Sequence, residues 1–334
     1  MTARTRYFVV CSLLVLGVGL GTGLVAYYVG FTTSAFGGRG GPEELRLIPS
    51  TAAVVAYADV AQVMSSDVRR KLREVTGDEH DQGRAQFEQA TGINIETDID
   101  HVVACTDPGL DSTQGAALVL ARGRFDVVKI EALIREHGGH AEDYKGKRIV
   151  TASQVQQAAA PSFSAGFIQP GLIAFGTTNL VEHAIDLQTG GGQSAATNDE
   201  LMAQVRALDS GNAWAVGRFD VLRANAKLPP GLTTQIPPIT WFAVSGNVDG
   251  GVRGTVRVEA RDDEAANNLR EVVRGFIALG RMQAGARPEL TGVFQALELG
   301  GAGKTVALSF DVPVQVFDQI GLALKARKPA ASTR

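Results

Sequence analysis

The run from Tyr7 to Phe31 holds 25 residues without a charged side chain, and it constrains this chain more than any other feature. A helix of that length, at about 1.5 Å per residue, crosses a hydrocarbon core of about 30 Å with some tilt. The run therefore predicts one transmembrane helix, residues 7–31, after a cytoplasmic N-terminus of residues 1–6. A signal peptide cleaved near Ala35 stays open as the alternative, although the apolar region of such peptides usually spans only about 7–15 residues.

Arginines flank the predicted helix on both sides, Arg4 and Arg6 before it and Arg39 and Arg46 after it. The count of positive charges on the two sides therefore favours neither orientation. A very short N-terminal flank is typical of a signal-anchor, which leaves the rest of the chain outside. We expect the C-terminal part to be extracytoplasmic, in the periplasm or at the cell surface.

Four glycines alternate with larger residues inside the predicted helix: Gly17, Gly19, Gly21 and Gly23. Glycines four positions apart form a flat strip on which a second membrane helix packs closely. The plainer interpretation is that glycine is frequent throughout this chain, which contains 39 of them. The pattern predicts a helix–helix contact, within a homodimer or with the membrane helix of a protein partner.

The composition is that of an ordinary globular domain, with a formal net charge of −3, 20% charged and 45% hydrophobic residues. This balance argues against nucleic acid as a partner, because such proteins usually carry a basic surface. Cys11 falls in the predicted membrane helix, so the folded part has no second cysteine with which Cys105 could form a disulfide. We expect Cys105 to be a small buried residue, with an intermolecular disulfide as the alternative.

The triplet Phe-Asp-Val begins at Phe125, Phe219 and Phe310, and the related Ala-Asp-Val begins at Ala58. Each copy follows an apolar, strand-like segment and precedes a helix-like one. An aspartate at such a junction accepts a hydrogen bond from a backbone N–H that the helix leaves unpaired. The pattern predicts four helix caps: Asp59, Asp126, Asp220 and Asp311.

The order of the predicted elements repeats once along the chain. We predict a Gly-rich spacer at 32–42, a first lobe at 43–197, a second lobe at 198–326 and a disordered basic tail at 327–334. The two lobes are interpreted as homologous, and the predicted order of elements in each is β-α-β-β-α-β-β-α. Because paired strands follow one another without crossovers, we expect an α+β fold with largely antiparallel sheet.

Two loops compete as the boundary between the lobes. The Gly/Ser/Thr-rich stretch 188–198 keeps the repeat in phase, so it is preferred to the proline-rich stretch 228–238. The predicted elements include strands at 146–152, 163–176 and 292–299, and helices at 262–281 and 313–325.

A resemblance to known proteins rests on the anchor, on Ile48-Pro49 leading into the segment AVVAYADV at 53–60, and on the two lobes. In this combination the chain resembles an uncharacterised group of bacterial single-pass envelope proteins that carry a domain of unknown function. The resemblance covers most of the chain and implies an extracytoplasmic domain. It implies no catalytic residue and no ligand.

Residue groups that could carry chemistry each have a plainer interpretation. The segment 300–305 (GGAGKT) ends like a phosphate-binding loop, but Glu298 replaces the first glycine of that motif and a strand follows instead of a helix, so a hairpin turn is predicted. Two clusters mix histidine with carboxylates: His137, His140, Glu142 and Asp143 in one, and Asp78, Glu79, His80 and Asp81 in the other. Neither has the ligand set of a zinc or calcium site, so no metal or other cofactor is predicted.

Arg124 and Arg218 each precede a Phe-Asp-Val triplet, within the repeated sequence Gly-Arg-Phe-Asp-Val. One hypothesis places them in equivalent anion-binding sites, one in each lobe. The plainer interpretation is an exposed arginine at the end of a strand. Because no recognisable nucleophile motif is present either, the sequence does not predict an enzyme.

Three functional hypotheses follow from these observations. The first is a membrane-anchored, non-catalytic envelope module that binds a protein partner or supports an envelope complex. The second is a carrier that holds a lipid or amphiphile between the two lobes, which an unfilled apolar groove between them would favour. The third is an enzyme of unknown reaction, which a deep pocket gathering histidines and carboxylates would favour.

Overall fold

The computed structural model describes residues 41–76, 85, 88–89, 91–107, 116–136, 138–152, 162–209, 211–221, 237–285 and 288–316. The predicted cytoplasmic N-terminus, membrane helix and basic tail lie outside these residues, as do Gly17, Gly19, Gly21 and Gly23. Within the described part of the chain, no helix is long and apolar enough to cross a membrane.

The described residues form one twelve-stranded sheet in which every neighbouring pair of strands is antiparallel. The strands in chain order are β1 Val54–Ala58, β2 Ile99–Asp107, β3 Ala116–Gly123, β4 His140–Tyr144, β5 Lys147–Thr151, β6 Phe163–Gln169, β7 Leu172–Thr177, β8 Ala213–Arg218, β9 Ile239–Val248, β10 Gly251–Ala260, β11 Leu297–Gly300 and β12 Thr305–Pro313. Their order across the sheet is β11-β12-β10-β9-β8-β1-β2-β3-β7-β6-β5-β4. The predicted antiparallel sheet is confirmed.

Helices cover both faces of this sheet. The α-helices are α1 Val60–Ser65, α2 Asp67–Thr76, α3 Ile95–Asp98, α4 Val127–Glu136, α5 Thr178–Gln188, α6 Asp199–Arg206, α7 Asp263–Ala284 and α8 Pro288–Gln295, and the 3-10 helices are Glu43–Leu47 and Ala195–Thr197. The mixed α and β content that the sequence predicts is confirmed.

The strands β1 and β8 are neighbours within the sheet, and Tyr57 of β1 lies opposite Trp214 of β8. Moving outward from this pair, one side of the sheet is ordered β1-β2-β3-β7-β6-β5-β4 and the other β8-β9-β10-β12-β11. The two sides share this order up to β6 and β11, and the first side has β5 and β4 in addition. The two sides are joined edge to edge in one continuous sheet, and the largest hydrophobic core extends across the junction.

Alternation of side chains along the strands gives the sheet two apolar faces. One face carries the larger core, including Tyr57, Leu120 and Trp214, and packs against the 3-10 helix Glu43–Leu47, α5 and α6. The other face carries a second core that includes Val102 and packs against α1, α3 and α4. A third, small cluster joins the start of α7 to β10 and β12.

Three element predictions are wrong. The predicted strand 163–176 is the hairpin β6–β7, because Pro170 and Gly171, with φ +74°, turn the chain back within an otherwise apolar run. The cluster at His140 lies on β4, which the sequence did not predict. The order β-α-β-β-α-β-β-α therefore fails for the first lobe, which has four strands between α4 and α5 instead of two.

The third error is the predicted strand 292–299, which is mostly the end of α8 followed by β11. Phe294 of α8 packs against α7 so closely that a Cβ atom on Gly280 would lie 2.1 Å from its ring. The segment is apolar and includes residues with β propensity, which is why a strand was predicted. The contact of Phe294 with α7, which the local sequence does not reveal, is made by a helix instead.

Two of the four predicted caps are confirmed. The carboxylate of Asp59 accepts a hydrogen bond from Gln62 N at 2.9 Å at the start of α1, and that of Asp126 accepts one from Lys129 N at 3.0 Å at the start of α4. The prediction for Asp311 is wrong, because β12 continues through it to Pro313 and pairs it with Arg253.

Gly123 of the Gly-Arg-Phe-Asp-Val repeat has no room for a side chain, since a Cβ atom would lie 2.0 Å from the carbonyl oxygen of Asp98. We therefore expect Gly123→Ala to lower the free energy of unfolding by about 1–3 kcal/mol. The matched control is Gly250→Ala, where no atom lies within 4 Å of the added methyl group. Urea unfolding of the full-length protein measures both, and equal losses would contradict the packing argument.

Candidate docking surface

Helix α7 exposes large apolar side chains along one side. Val272, Phe276, Leu279 and Met282 have exposed fractions of 41, 68, 52 and 70%. Steps of four, three and three residues place these side chains on one side of a helix. We call these four residues the α7 stripe.

The first turn of α7 and its contact with α8 hold the helix on the domain. Ala265 and Ala266 are buried against Val306 of β12, and Gly280 packs against Phe294 of α8. At its start, the Asp262 carboxylate accepts a hydrogen bond from Ala265 N at 2.8 Å. The helix is therefore fixed at its N-terminus and against α8, whereas the four residues of the stripe, farther along the helix, are exposed.

The arginines of α7 are already engaged within the chain. Arg270 donates hydrogen bonds to the carbonyl oxygens of Gly303 and Thr305 at 2.7 and 2.9 Å, Arg274 pairs with Glu271, and Arg281 donates to the carbonyl oxygen of Phe294 at 3.4 Å. No acidic residue occurs between 272 and 285. What the stripe offers a ligand is therefore apolar contact.

The exposed parts of the four side chains add up to an apolar patch on the order of 400 Å². The largest apolar patch on a typical monomer covers about 300–600 Å² and is often functional, whereas single exposed apolar residues are common and need no explanation. Val127 and Val128 at the start of α4 are the other large exposed apolar residues of the described chain.

A buried ionic cluster lies on the face of the sheet opposite to α7. Glu44, only 3% exposed, accepts hydrogen bonds from Arg122 Nε at 2.9 Å and Nη2 at 2.6 Å, and His101 Nε2 lies 3.3 Å from the same carboxylate oxygen. Burial opposes ionisation of Glu44, but the nearby imidazole of His101 and the hydrogen bonds from Arg122 outweigh it and lower its pKa to about 2. Such a carboxylate is a weak base, and the cluster fixes the 3-10 helix Glu43–Leu47 to the sheet.

Two aromatic rings extend this cluster towards the second half of the sheet. The Tyr57 ring lies 5.6 Å from the imidazole of His101 and stacks on the Trp214 indole at 5.9 Å between centroids. Burial, together with the charges of Asp59 and Glu44, raises the pKa of Tyr57 far above its ordinary value. The phenol therefore stays protonated at neutral pH.

A cavity of about 480 Å³ opens where α4 begins and the β6–β7 turn passes. Its walls are mainly apolar, with one cation, Lys147. The neighbouring cations are paired, Lys145 with Asp186 and Arg148 with Glu131. Among the described residues, Lys147 has no ion-pair partner. The lining residues are Phe125, Val127, Lys147, Phe167, Ile168, Gln169, Pro170, Gly171 and Ile173.

The two arginines of the repeat do not form equivalent anion sites in the described structure. Arg124 is exposed, donates a hydrogen bond to the carbonyl oxygen of Thr97, and lies 3.6 Å from Asp98. Arg218 forms an ion pair with Asp220 at 2.9 Å. Each guanidinium already has a partner within the chain. Both arginines therefore fit the plainer interpretation of an exposed arginine at the end of a strand.

The other predicted groups are scattered. Residues 301–304 connect β11 to β12, so the hairpin predicted for the GGAGKT segment is confirmed. His140, Glu142 and Asp143 lie along β4, whereas His137 and the cluster 78–81 lie outside the described residues. Within the described chain, no three His, Cys, Asp or Glu residues are placed to hold a metal ion. Cys105 is buried, as predicted, and burial and Asp107 raise its thiol pKa.

The exposure of the α7 stripe could not be predicted from the sequence, because Phe276 lies seven residues after Leu269, on the same side of the helix as a residue that packs on the sheet. One signal was available: the apolar side of α7 continues through Leu279 and Met282, beyond the residues that cover the sheet.

No family model matches this chain, and no curated protein matches it. The resemblance to uncharacterised envelope proteins therefore stays a prediction. Among solved structures, one described as "Structure of crystal form I of TP0453" is similar over 85% of this chain and 98% of that chain, with 7% sequence identity and a TM-score of 0.47. A TM-score below 0.5 establishes neither a shared fold nor a shared function.

Proposed function

We propose that this chain is a membrane-anchored module without catalytic activity, and that its folded part lies outside the cytoplasm and binds a polypeptide partner through the α7 stripe. The stripe is the observation that carries this proposal. Four large apolar side chains in water cost free energy that contact with a partner recovers, at about 25 cal/mol for each Å² of apolar surface covered.

The buried polar groups support a non-catalytic role. Glu44 belongs to the 3-10 helix Glu43–Leu47, is only 3% exposed and is paired with Arg122. Its low pKa suits an ion pair that holds two elements together, whereas a general base needs a pKa near neutrality. A buried thiol with a raised pKa, as at Cys105, is a poor nucleophile.

The order of strand pairing supports a duplication. Counting outward from β1 and β8, the strands of the two halves correspond as β2 to β9, β3 to β10, β7 to β12 and β6 to β11. Helices follow corresponding strands: α4 follows β3 and α7 follows β10. We place two homologous lobes at 43–197 and 198–326, with the hairpin β4–β5 as an addition to the first.

The cavity beside Lys147 favours a second candidate function, the binding of an amphiphile with an anionic head group. Its volume lies within the range of about 300–1,000 Å³ that is common for small-molecule sites. The site lies within the first half of the sheet, whereas Tyr57 and Trp214 stack on each other where β1 pairs with β8.

Photoreactive palmitate added to membranes that contain the full-length chain tests this second candidate. We expect labelled peptides from the cavity, and several-fold less label in Lys147→Gln than in the control Lys304→Gln, because only Lys147 lines the cavity. Equal labelling of the two variants would rule the amphiphile site out.

Cell fractionation tests the anchoring and the location of the domain. We expect the full-length chain to stay in membranes washed at alkaline pH, since a spanning helix is not released by disrupting charge contacts. Protease added from outside the cytoplasmic membrane should digest the folded part. Release by the wash, or protection from the protease, would contradict the proposed anchor or the proposed orientation.

A further inference from the structure

We propose that the start of α4 is a second contact surface, and that its partner is a lipid bilayer that contains anionic lipids. The surface consists of Val127, Val128, Lys129 and Lys147, and we call these four residues the α4 rim. It is separate from the α7 stripe, so this inference goes beyond the proposed docking of a polypeptide.

The apolar part of the α4 rim is exposed at the end of its helix. Val127 and Val128 have exposed fractions of 39 and 78%, and they occupy the first turn of α4. Side chains on a helix lean towards its N-terminus, so both valines project over the end of α4. Val127 also lines the cavity, together with Pro170, which is exposed in the β6–β7 turn. The apolar surface at this end therefore continues from the exposed valines into the cavity.

A lysine lies on each side of these valines. Lys129 crosses Gly92, just before α3, so closely that a Cβ atom on Gly92 would lie 2.5 Å from the Nζ atom of the lysine. Lys147 of β5 lines the cavity on the side of Val127. Among the ion pairs of the described residues, none includes Lys129 or Lys147.

The acidic groups at this end leave an excess of positive charge. Asp98 lies 3.6 Å from Arg124, and Glu131 pairs with Arg148 at 2.7 Å, so these charges compensate one another. Asp126 carries a negative charge and caps α4, but the two lysines of the α4 rim outnumber it. The rim therefore attracts an anionic head group.

The corresponding helix of the other half lacks these features. Helix α7 follows β10 as α4 follows β3, but the first turn of α7 holds Asp263 and Glu264. Acidic residues stabilise the first turn of a helix, whereas a lysine opposes the helix dipole there. The stability of α4 therefore does not explain Lys129. The hairpin β4–β5, which supplies Lys147, also has no counterpart in the second half.

Valines between lysines are suited to the surface of a bilayer. Exposed apolar side chains enter the boundary between head groups and acyl chains, and flanking lysines reach the phosphates. The two valines cover little area, so the contact needs the attraction of anionic lipid as well. The cavity opens at the same place, so an amphiphile would enter it directly from the lipid.

Fluorescence quenching in vesicles tests this inference. The full-length chain with Cys11→Ser carries a nitrobenzoxadiazole label on a cysteine that replaces Val128 or, as a control, Gly250, which is exposed in the β9–β10 turn. Cys105 is buried, so it stays unlabelled. The vesicles consist of phosphatidylcholine alone or of equal parts of phosphatidylcholine and phosphatidylglycerol, with a nitroxide-labelled lipid as the quencher. We expect several-fold stronger quenching at position 128 than at position 250 in the mixed vesicles.

Charge variants test the role of the two lysines. Lys129→Gln with Lys147→Gln should reduce the quenching at position 128 several-fold in the mixed vesicles, because each lysine near an anionic surface adds to the attraction. The matched control, Arg253→Gln with Lys304→Gln, removes two exposed charges from the second half and should leave the quenching unchanged. Equal effects of the two pairs would overturn the α4 rim as the charged contact.

The outcomes separate this inference from the proposed function. Quenching at position 128 no stronger than at position 250 would overturn the bilayer as the partner of the α4 rim. A shift of the label's emission without quenching would also overturn it, because that result indicates contact with another polypeptide. A chain that does not float with phosphatidylcholine vesicles would instead contradict the proposed anchor, whereas quenching at position 128 in the mixed vesicles would still support the α4 rim.

Discussion

Trp214→Ala should lower the free energy of unfolding by about 3–5 kcal/mol, the largest single effect that we expect in this fold. The Trp214 side chain is 1% exposed and stacks on Tyr57 at the pairing of β1 with β8. Its removal leaves a cavity in the core that joins the two halves of the sheet. Urea unfolding of the full-length protein in detergent micelles, followed by far-UV circular dichroism, measures the loss.

The matched control is Phe276→Ala, which truncates an aromatic side chain that is 68% exposed. A monomer should lose little stability from this change, because that ring has few contacts within the chain. Similar losses of stability in the two variants would mean that Trp214 is not a core residue and does not hold the two halves of the sheet together.

The second large effect is a loss of stability at acid pH that depends on Glu44. Its folded-state pKa of about 2 lies below the ordinary value of 4.5. The ionised carboxylate therefore stabilises the fold above about pH 4.5, and this contribution disappears as the pH falls towards 2. A shift of this size corresponds to at most about 3 kcal/mol.

Glu44→Gln separates this effect from the other carboxylates. We expect the variant to be about 2–3 kcal/mol less stable than the wild type at pH 7, because Arg122 loses its partner in a partly buried site. The difference should shrink as the pH falls from 5 to 2. A difference in the free energy of unfolding that stays constant over this range would show that Glu44 contributes by its shape alone.

Local sequence patterns correctly predicted those elements whose boundaries depend only on residues nearby in the sequence. The strand predicted at 146–152 is β5 to within one residue at each end, and the helix predicted at 262–281 begins within one residue of α7. Alternation of apolar residues and capping aspartates act within a few residues of each other. Their signals are therefore visible without knowledge of the rest of the fold.

The Phe-Asp-Val triplets led to the correct idea of helix caps but to the wrong set of residues. Asp126 caps the helix after β3, and the cap at the corresponding place after β10 is Asp262, in the sequence Arg-Asp-Asp. Asp311 shares the triplet but lies within β12. What recurs is an acceptor at the junction of strand and helix, and different sequences provide it.

The tertiary contacts could not be predicted because they join distant parts of the chain. Glu44 and Arg122 are 78 residues apart, and neither is distinguished by its neighbours in the sequence. The α7 stripe was visible as apolar residues, but its exposure depends on how far along α7 the contact with β10 and β12 extends. Tertiary packing decides that choice.

Native mass spectrometry of the full-length protein, extracted gently from its own membranes, shows whether the α7 stripe binds a polypeptide. We expect the wild-type chain of 35.2 kDa to carry the mass of a second polypeptide, and the variant with Phe276→Asp and Leu279→Asp to appear as a single chain. A single bare chain for the wild type, or the same bound mass on both proteins, would contradict the claim that the α7 stripe binds a polypeptide partner.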